Sequence, residues 1–142
     1  MTMIIRESDS NIELLSVFES DDVFEPICIN TDLKRGQITF LFDDNHKYFV
    51  GIVNNEVVGY ISLVNEDNKW WGHTAVKKIF RHLSGVLMDS VKDYVKLRYP
   101  EIKTIYGNVP THNLRSEAYH IKHGFTLLSF SPINGFLLHM EL

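Results

Sequence analysis

The sequence predicts an α/β (α+β) fold in one domain, with a mixed, mostly antiparallel central sheet flanked by helices. First, a chain of 142 residues fits one compact domain with one core. Second, runs rich in β-branched and aromatic residues follow one another between Tyr48 and Val76 with only polar turns between them. Third, helical and strand patterns alternate from Ser84 onward. The expected order over residues 1–142 is therefore β-α-(α)-β-β-β-α-β-α-β-β.

The chain is expected to open with a strand and a helix. Met3–Arg6 fits a short first strand, and Asp9 or Ser10 can cap the helix that follows. Apolar residues then recur at helical spacing, and we expect them to form the buried stripe of this helix: Ile12, Leu15 and Phe18.

The stretch from Asp21 to Asp44 has no single pattern. Pro26 interrupts any helix, Gly36 permits a turn, and Ile38–Phe42 fits either the end of a helix or a strand. We therefore expect a mostly helical or irregular excursion before the sheet resumes.

A hairpin is the clearest element of the sequence. Its arms are Tyr48–Val53 and Val57–Val64, both β-branched and aromatic, joined by the polar turn Asn54–Glu56. A second polar turn at 65–69 leads to Trp70–Val76, which can run back as the next strand. These segments predict antiparallel strands in series at the middle of the sheet.

The second half of the chain alternates helix and strand. Ser84–Tyr99 has a helical apolar stripe and stops before Pro100, and Lys103–Val109 follows as a fifth strand. The predicted stripe residues are Leu87, Val91 and Val95, widened by Met88 and Tyr94. A further helix over 113–123 can end at Gly124 in a left-handed conformation.

Two last strands close the predicted order. They are Phe125–Phe130 and Phe136–Met140, joined by a turn at 131–135 that contains proline, asparagine and glycine. No repeat or linker interrupts the pattern.

Composition bounds the class of protein. The hydrophobic fraction is 44% and the aromatic fraction 12%, which is enough to build a core without disulfides or a structural metal. A net charge of -4 argues against a protein that binds a nucleic-acid backbone. The single cysteine, Cys28, cannot form an internal disulfide, and no apolar run approaches membrane-spanning length. We therefore expect a cytoplasmic protein that binds neither nucleic acid nor membrane.

Basic residues gather locally on this acidic chain. They are Lys77, Lys78, Arg81 and His82. A small anionic ligand would explain such a cluster, and a solvated turn would explain it equally well.

A longer motif gives the cluster a context. Asn113 follows the fifth strand, and Lys122, Gly124 and Phe125 follow at the end of the next helix. This spacing resembles the GNAT family of acyl-CoA N-acyltransferases, and the resemblance covers roughly Tyr48–Phe125. The residues also have physical reasons of their own, since the asparagine can cap the helix, the glycine can end it and the phenylalanine can start a strand in the core.

The resemblance places a CoA pyrophosphate between the fourth strand and its helix, in a Gln/Arg-x-x-Gly-x-Gly/Ala loop. The corresponding residues here are Arg81, His82, Leu83, Ser84, Gly85 and Val86. Arg81 matches, whereas Ser84 and Val86 replace small residues of the family pattern and Gly85 lies between them. Backbone amides at a helix N-terminus can donate hydrogen bonds to phosphate oxygens. Val86 can point inward, which leaves these amides accessible. A plain strand-to-helix turn is the alternative.

The resemblance also implies that strands four and five splay apart. The pantetheine arm would then pair with the backbone of strand four, and a free amide would polarise the acyl carbonyl. The residues expected to do this are Thr74, Ala75 and Val76, with Asn113 as a further cofactor-binding position.

His73 is the candidate general base, because it lies just before that strand end and its ordinary pKa of about 6.5 suits proton transfer at neutral pH. Beside Trp70 and Trp71 it can equally be a packed aromatic residue. The family's usual acid, a tyrosine on the following helix, is replaced by His120, which can protonate a thiolate when cationic. Tyr119 lies one position earlier and is expected to face elsewhere.

The predicted function is transfer of an acetyl group from acetyl-CoA to a primary amine of an unidentified small molecule or protein. The alternative is a catalytically silent GNAT-like binding or structural module. His120 and His123 lack the further ligands that a metal site needs, so no metal is expected. The sequence leaves open whether the protein forms a homodimer. It also leaves open a viral origin, because small phage-encoded GNAT-like proteins share the altered phosphate loop.

Overall fold

The computed structural model describes residues 2–20, 34 and 38–142. One seven-stranded sheet runs through it in the order β1-β2-β3-β4-β5-β7-β6. Its strands are β1 Ile4–Glu7, β2 His46–Val53, β3 Glu56–Glu66, β4 Lys69–Val76, β5 Thr104–Val109, β6 Thr126–Ser131 and β7 Gly135–Glu141. The described helices are α1 Asn11–Phe18, α2 Ser84–Arg98 and α3 Leu114–Lys122, with a 3₁₀ segment Lys78–Leu83 directly before α2. This order confirms the predicted mixed, mostly antiparallel fold.

The strands β1 to β4 form an antiparallel half-sheet. The β2–β3 hairpin is tighter than predicted, since only Asn54 and Asn55 lie in its turn, with φ of 52° and 64°. Asparagine tolerates this left-handed conformation, and two such residues give a turn whose twist matches that of the strands. Asp67 and Asn68 repeat the arrangement between β3 and β4.

The two halves of the sheet meet between β4 and β5, which run parallel. The strands pair only at Trp70 with Ile105 and at Trp71 with Tyr106. Beyond these pairs, 72–76 and 107–109 diverge and leave a wedge in the middle of the sheet, as the resemblance implied. On its other edge β4 stays paired with β3 along its whole length.

The strands β5, β7 and β6 form the second half-sheet, which is antiparallel. Within the described chain β6 pairs only with β7, so it is an edge strand. Several of its apolar side chains are exposed, among them Phe130 at 53%.

Two layers of side chains cover the sheet. On the side called here the α2 side, Leu87, Val91 and Val95 pack against a buried cluster that includes Phe49 and Leu138. Tyr119 of α3 packs against the same cluster. On the opposite side, the α1 side, Leu14 and Val17 pack with residues of three strands: Tyr48, Val50, Tyr60 and Ala75.

The helix caps follow the sequence predictions. Ser10 accepts a hydrogen bond from the Glu13 amide and starts α1, and Asn113 accepts one from the Ser116 amide and starts α3. Gly124, with φ of 100°, follows the end of α3.

One prediction for α1 is wrong. Ile12 is 83% exposed, and the buried positions are Leu14 and Val17 instead. An eight-residue helix with five apolar residues fits several stripes, and its contact with the sheet selects one of them. Of the predicted excursion, 38–44 forms no helix or strand, whereas Pro26, Cys28 and Gly36 lie outside the described residues. None of the described helices combines the length and apolar character that a membrane span requires.

Candidate active site

The wedge between β4 and β5 holds the candidate base, His73. Its side chain leaves β4 on the α1 side, because it alternates with Thr74 and shares a face with Ala75. Solvent reaches the ring, yet protein atoms surround it on most sides, and this partial desolvation lowers its pKa from the ordinary value. His73 is therefore neutral at neutral pH and can accept a proton.

His120 approaches the wedge from α3, on the α2 side. Its Nδ1 lies 2.6 Å from the Ser116 carbonyl oxygen, so Nδ1 carries the hydrogen and donates it. A Cβ added to Gly107 of β5 would lie 3.3 Å from His120 Cδ2, a tight contact, so the missing side chain at Gly107 makes room for the ring. Phe125 packs edge-on against the His120 ring, with 4.9 Å between the two ring centroids.

His73 acts electrostatically on His120. Burial lowers the pKa of His120 most, and a positive charge on His73 lowers it further, while the hydrogen bond to the Ser116 carbonyl opposes both effects. The structure thus brings together two residues that are 47 positions apart in sequence, because β5 and α3 fold back beside β4. The lowered pKa also means that a cationic His120, the form expected to protonate a thiolate, is disfavoured at neutral pH.

Tyr119 lies at the same site, although the sequence set it aside. Its hydroxyl donates a hydrogen bond of 2.9 Å to the Ser84 carbonyl and interacts with the Thr74 side chain. Burial raises the pKa of Tyr119 to about 12, so the hydroxyl keeps its proton. This one side chain connects α3 to the end of β4 and to the start of α2. No local pattern in the sequence indicates this role, because the contact joins α3 to the start of α2.

The N-terminus of α2 is the expected phosphate site. Leu83 is its N-cap and supplies no side-chain hydrogen bond, whereas Ser10 and Asn113 cap their own helices. The Arg81 side chain is exposed and makes no hydrogen bond or ion pair with any residue of the described chain. His82 beside it is exposed as well. The positive end of the dipole of this fifteen-residue helix, with the Arg81 guanidinium beside it, favours an anion.

The rest of this loop differs in detail from the expectation. Val86 does not point inward: its side chain is 48% exposed. Leu83 is buried and anchors the loop in a small cluster with Val53 and Val58. Gly85 has its own steric reason, because an added Cβ would lie 2.7 Å from Cε1 of His123.

His123 therefore lies beside the expected phosphate site, in contact with Gly85. Its ring packs against Tyr119 at 4.8 Å between centroids, and its Nδ1 lies 3.9 Å from Asp89 Oδ1. Neither it nor Tyr119 was assigned a role from sequence. Both positions depend on how α3 docks against α2.

The predicted cofactor residues of β4 lie along the wedge. Thr74, Ala75 and Val76 pair with β3 on one edge, and their other edge faces the space that β5 leaves. Asn113 is the N-cap residue of α3, and its side-chain oxygen accepts a hydrogen bond from the Ser116 amide. Among the described residues no three His, Cys, Asp or Glu side chains form a group that could hold a metal ion.

Comparison with known proteins agrees with this geometry. The sequence model of the acetyltransferase (GNAT) family matches residues 13–125. No curated protein sequence matches the chain.

Many solved structures share the fold. An acetyltransferase from Thermus thermophilus superposes with a TM-score of 0.75 at 16% identity, covering 100% of this chain and 98% of the other. An acetyltransferase from Streptococcus agalactiae gives 0.70 at 18% identity, covering 99% and 98%. The Campylobacter jejuni N-acetyltransferase PseH, solved in complex with acetyl coenzyme A, gives 0.66 at 15% identity, covering 97% and 99%.

Proposed function

Because the chain belongs to the acetyltransferase (GNAT) family, we propose that it transfers an acetyl group from acetyl-CoA to a primary amine of a small molecule or a protein. The observation that carries the proposal is the wedge that β4 and β5 leave in the sheet, with His73 on its α1 side and His120 on its α2 side. A thioester held in this wedge and an amine beside His73 would have a neutral imidazole on either side of the sheet.

The wedge and the start of α2 suit the two ends of acetyl-CoA. The unpaired edge of Thr74–Val76 can hydrogen-bond an extended pantetheine arm like an added strand. The N-terminus of α2, with Arg81 beside it, can bind the pyrophosphate. That PseH was solved with acetyl coenzyme A in the same fold supports this arrangement.

The proposed reaction needs one proton to leave the amine and one to reach sulfur. The amine nitrogen attacks the thioester carbonyl carbon, the nitrogen gives up its proton to His73, and the C–S bond breaks to release the CoA thiolate. His120 starts neutral, with Nδ1 donating to the Ser116 carbonyl and Nε2 free to accept. The proton taken by His73 can then pass through His120 to the thiolate, which leaves both rings neutral again.

A thiol-release assay tests the proposal. The protein is incubated with acetyl-CoA and a panel of primary amines, and free CoA thiol is measured together with the mass of the acetylated amine. We expect amine-dependent thiol release that falls about 10²-fold or more in His73→Ala. His112→Ala is the matched control, since His112 is an exposed histidine in the turn after β5 and has no role in the proposed reaction.

The silent binding module is separated from the enzyme by a thermal-shift titration with desulfo-CoA. Binding to the native state raises the melting temperature by mass action. A rise without acetylation of any amine would identify a CoA-binding module. No rise at millimolar ligand would contradict the assignment of the wedge and of α2 to acetyl-CoA.

A further inference from the structure

A row of aromatic rings crosses the α1 side of the sheet next to His73. Trp71 of β4 is paired with Tyr106 of β5, and Tyr106 is paired with His139 of β7. Their side chains therefore leave three adjacent strands at the same level and on the same face. The ring centroids are 5.5 Å apart between Trp71 and Tyr106 and 6.3 Å apart between Tyr106 and His139. We call these three residues the aromatic row.

The aromatic row is not part of the core. All three rings are partly exposed, and none belongs to a buried cluster of the described chain. The neighbouring Trp70 points to the α2 side and packs against the main cluster, so only one of the two consecutive tryptophans serves the fold. Large aromatic side chains left at the surface of a sheet commonly mark a binding surface.

The position of the row relates it to the proposed reaction. Trp71 and His73 lie on one face of β4, two residues and therefore about 7 Å apart along the strand. A ligand whose amine lies at His73 and whose body extends along the sheet would lie on Trp71 and Tyr106. A primary amine joined by a short alkyl chain to a planar ring spans this distance.

The charges around the row favour an uncharged ring over a second ammonium group. The Nζ of Lys69 already lies 5.4 Å from the centre of the Tyr106 ring and would repel another cation there. The nearby carboxylate of Glu141 accepts a hydrogen bond from Thr104 at 3.1 Å and lies 3.4 Å from His139 Nδ1. Its charge is therefore partly compensated within the protein.

We propose that the aromatic row binds the body of the acceptor and that the acceptor is an arylalkylamine, a primary amine on a short chain carrying a planar, uncharged ring. The inference rests on the proposed acetyl transfer for the placement of the amine at His73. The ring stacks on Trp71 and Tyr106, and His139 closes the row at its far end.

The test uses two amines of similar size and basicity, 2-phenylethylamine and 2-cyclohexylethylamine, which differ in whether the ring is planar. Because the chain contains two tryptophans, Trp70→Phe leaves Trp71 as the only indole reporter. Titration of this variant should quench Trp71 fluorescence with the phenyl compound at about three- to tenfold lower Kd than with the cyclohexyl compound, the range expected for ring stacking.

Two further variants check where the preference arises. Trp71→Leu and Tyr106→Leu should each abolish the preference for the planar amine, measured by ligand-detected NMR. Phe130→Leu, which changes a more exposed ring on the edge strand, should keep it. Equal binding of both amines, tighter binding of 1,5-diaminopentane, or loss of the preference in Phe130→Leu would overturn the inference.

The acetylation assay separates this inference from the proposed function. Acetylation with equal kcat/KM for planar and saturated amines would support the proposed acetyl transfer and refute the aromatic row as the acceptor site. Tighter binding of the planar amine without acetylation of any amine would support the aromatic row as a binding site and refute the proposed acetyl transfer.

Discussion

The contact between Gly85 and His123 makes the most direct test of how the phosphate loop is built. The three heavy atoms nearest to a Cβ added at Gly85 all belong to His123, at 2.7, 3.1 and 3.7 Å. Gly85 lies in α2 and is not among the residues with positive φ, so an alanine can adopt its backbone conformation. Gly85→Ala therefore tests packing alone.

The structure allows the size of the effect to be worked out. Overfilling a packed site costs about 1–3 kcal/mol. Replacing glycine by alanine in a helix stabilises it by about 1 kcal/mol. Gly85→Ala should therefore lower the free energy of unfolding by about 0–2 kcal/mol. In a His123→Ala background the clash is gone, and the same change should raise it by about 1 kcal/mol.

Urea unfolding of the parent, the two single variants and the double variant measures this coupling. We expect Gly85→Ala to change sign between the two backgrounds, with a coupling of about 1–3 kcal/mol. The same effect in both backgrounds would show that His123 does not lie on Gly85 and would refute the described docking of α3. CoA affinity of the double variant adds a second result: if phosphate approach also needs a glycine here, binding stays weak after the packing is relieved.

Four other outcomes follow from the site. Arg81→Ala should weaken CoA binding by about 1–3 kcal/mol, the range for a charge-assisted hydrogen bond, without changing the melting temperature; unchanged affinity in calorimetry would remove Arg81 from the phosphate site. Tyr119→Phe should lower the free energy of unfolding by about 1 kcal/mol, because the Ser84 carbonyl loses its donor; urea unfolding measures the loss. The pKa values of His73 and His120 are lowered in the folded state, so the unfolded chain binds more protons below about pH 6.5 and the melting temperature should fall as pH drops from about 7 to 5. In differential scanning calorimetry a His73→Asn/His120→Asn double variant should show a smaller fall, and an unchanged slope would contradict the partial desolvation of both rings.

Much of the fold could be predicted because its patterns are local. The β2–β3 hairpin shows its alternation and its turn residues directly, and the stripe Leu87, Val91 and Val95 is long enough to define one face of α2. In α1 the apolar residues are too many for eight positions, and the wrong one, Ile12, was assigned to the core. Contacts with the sheet decide such cases, and these contacts are not local.

The candidate site was predictable only where a motif marks it. Asn113, Gly124 and Phe125 stand out at fixed spacing, and His73 stands out by its place at the end of a strand. The contacts of Tyr119 and His123 with the start of α2 arise between helices that are far apart in sequence. No periodicity in either helix indicates which side chain reaches the other.

The short parallel contact between β4 and β5 also sets the spacing between the two half-sheets. In the described chain two residue pairs join the half-sheets, at the closed end of the wedge. Just beyond them, a Cβ added at Gly72 would lie 3.1 Å from Cγ2 of Ile105, so the smallest residue stands where β4 lies close to β5. A larger side chain at this position would therefore push β4 and β5 apart and widen the wedge.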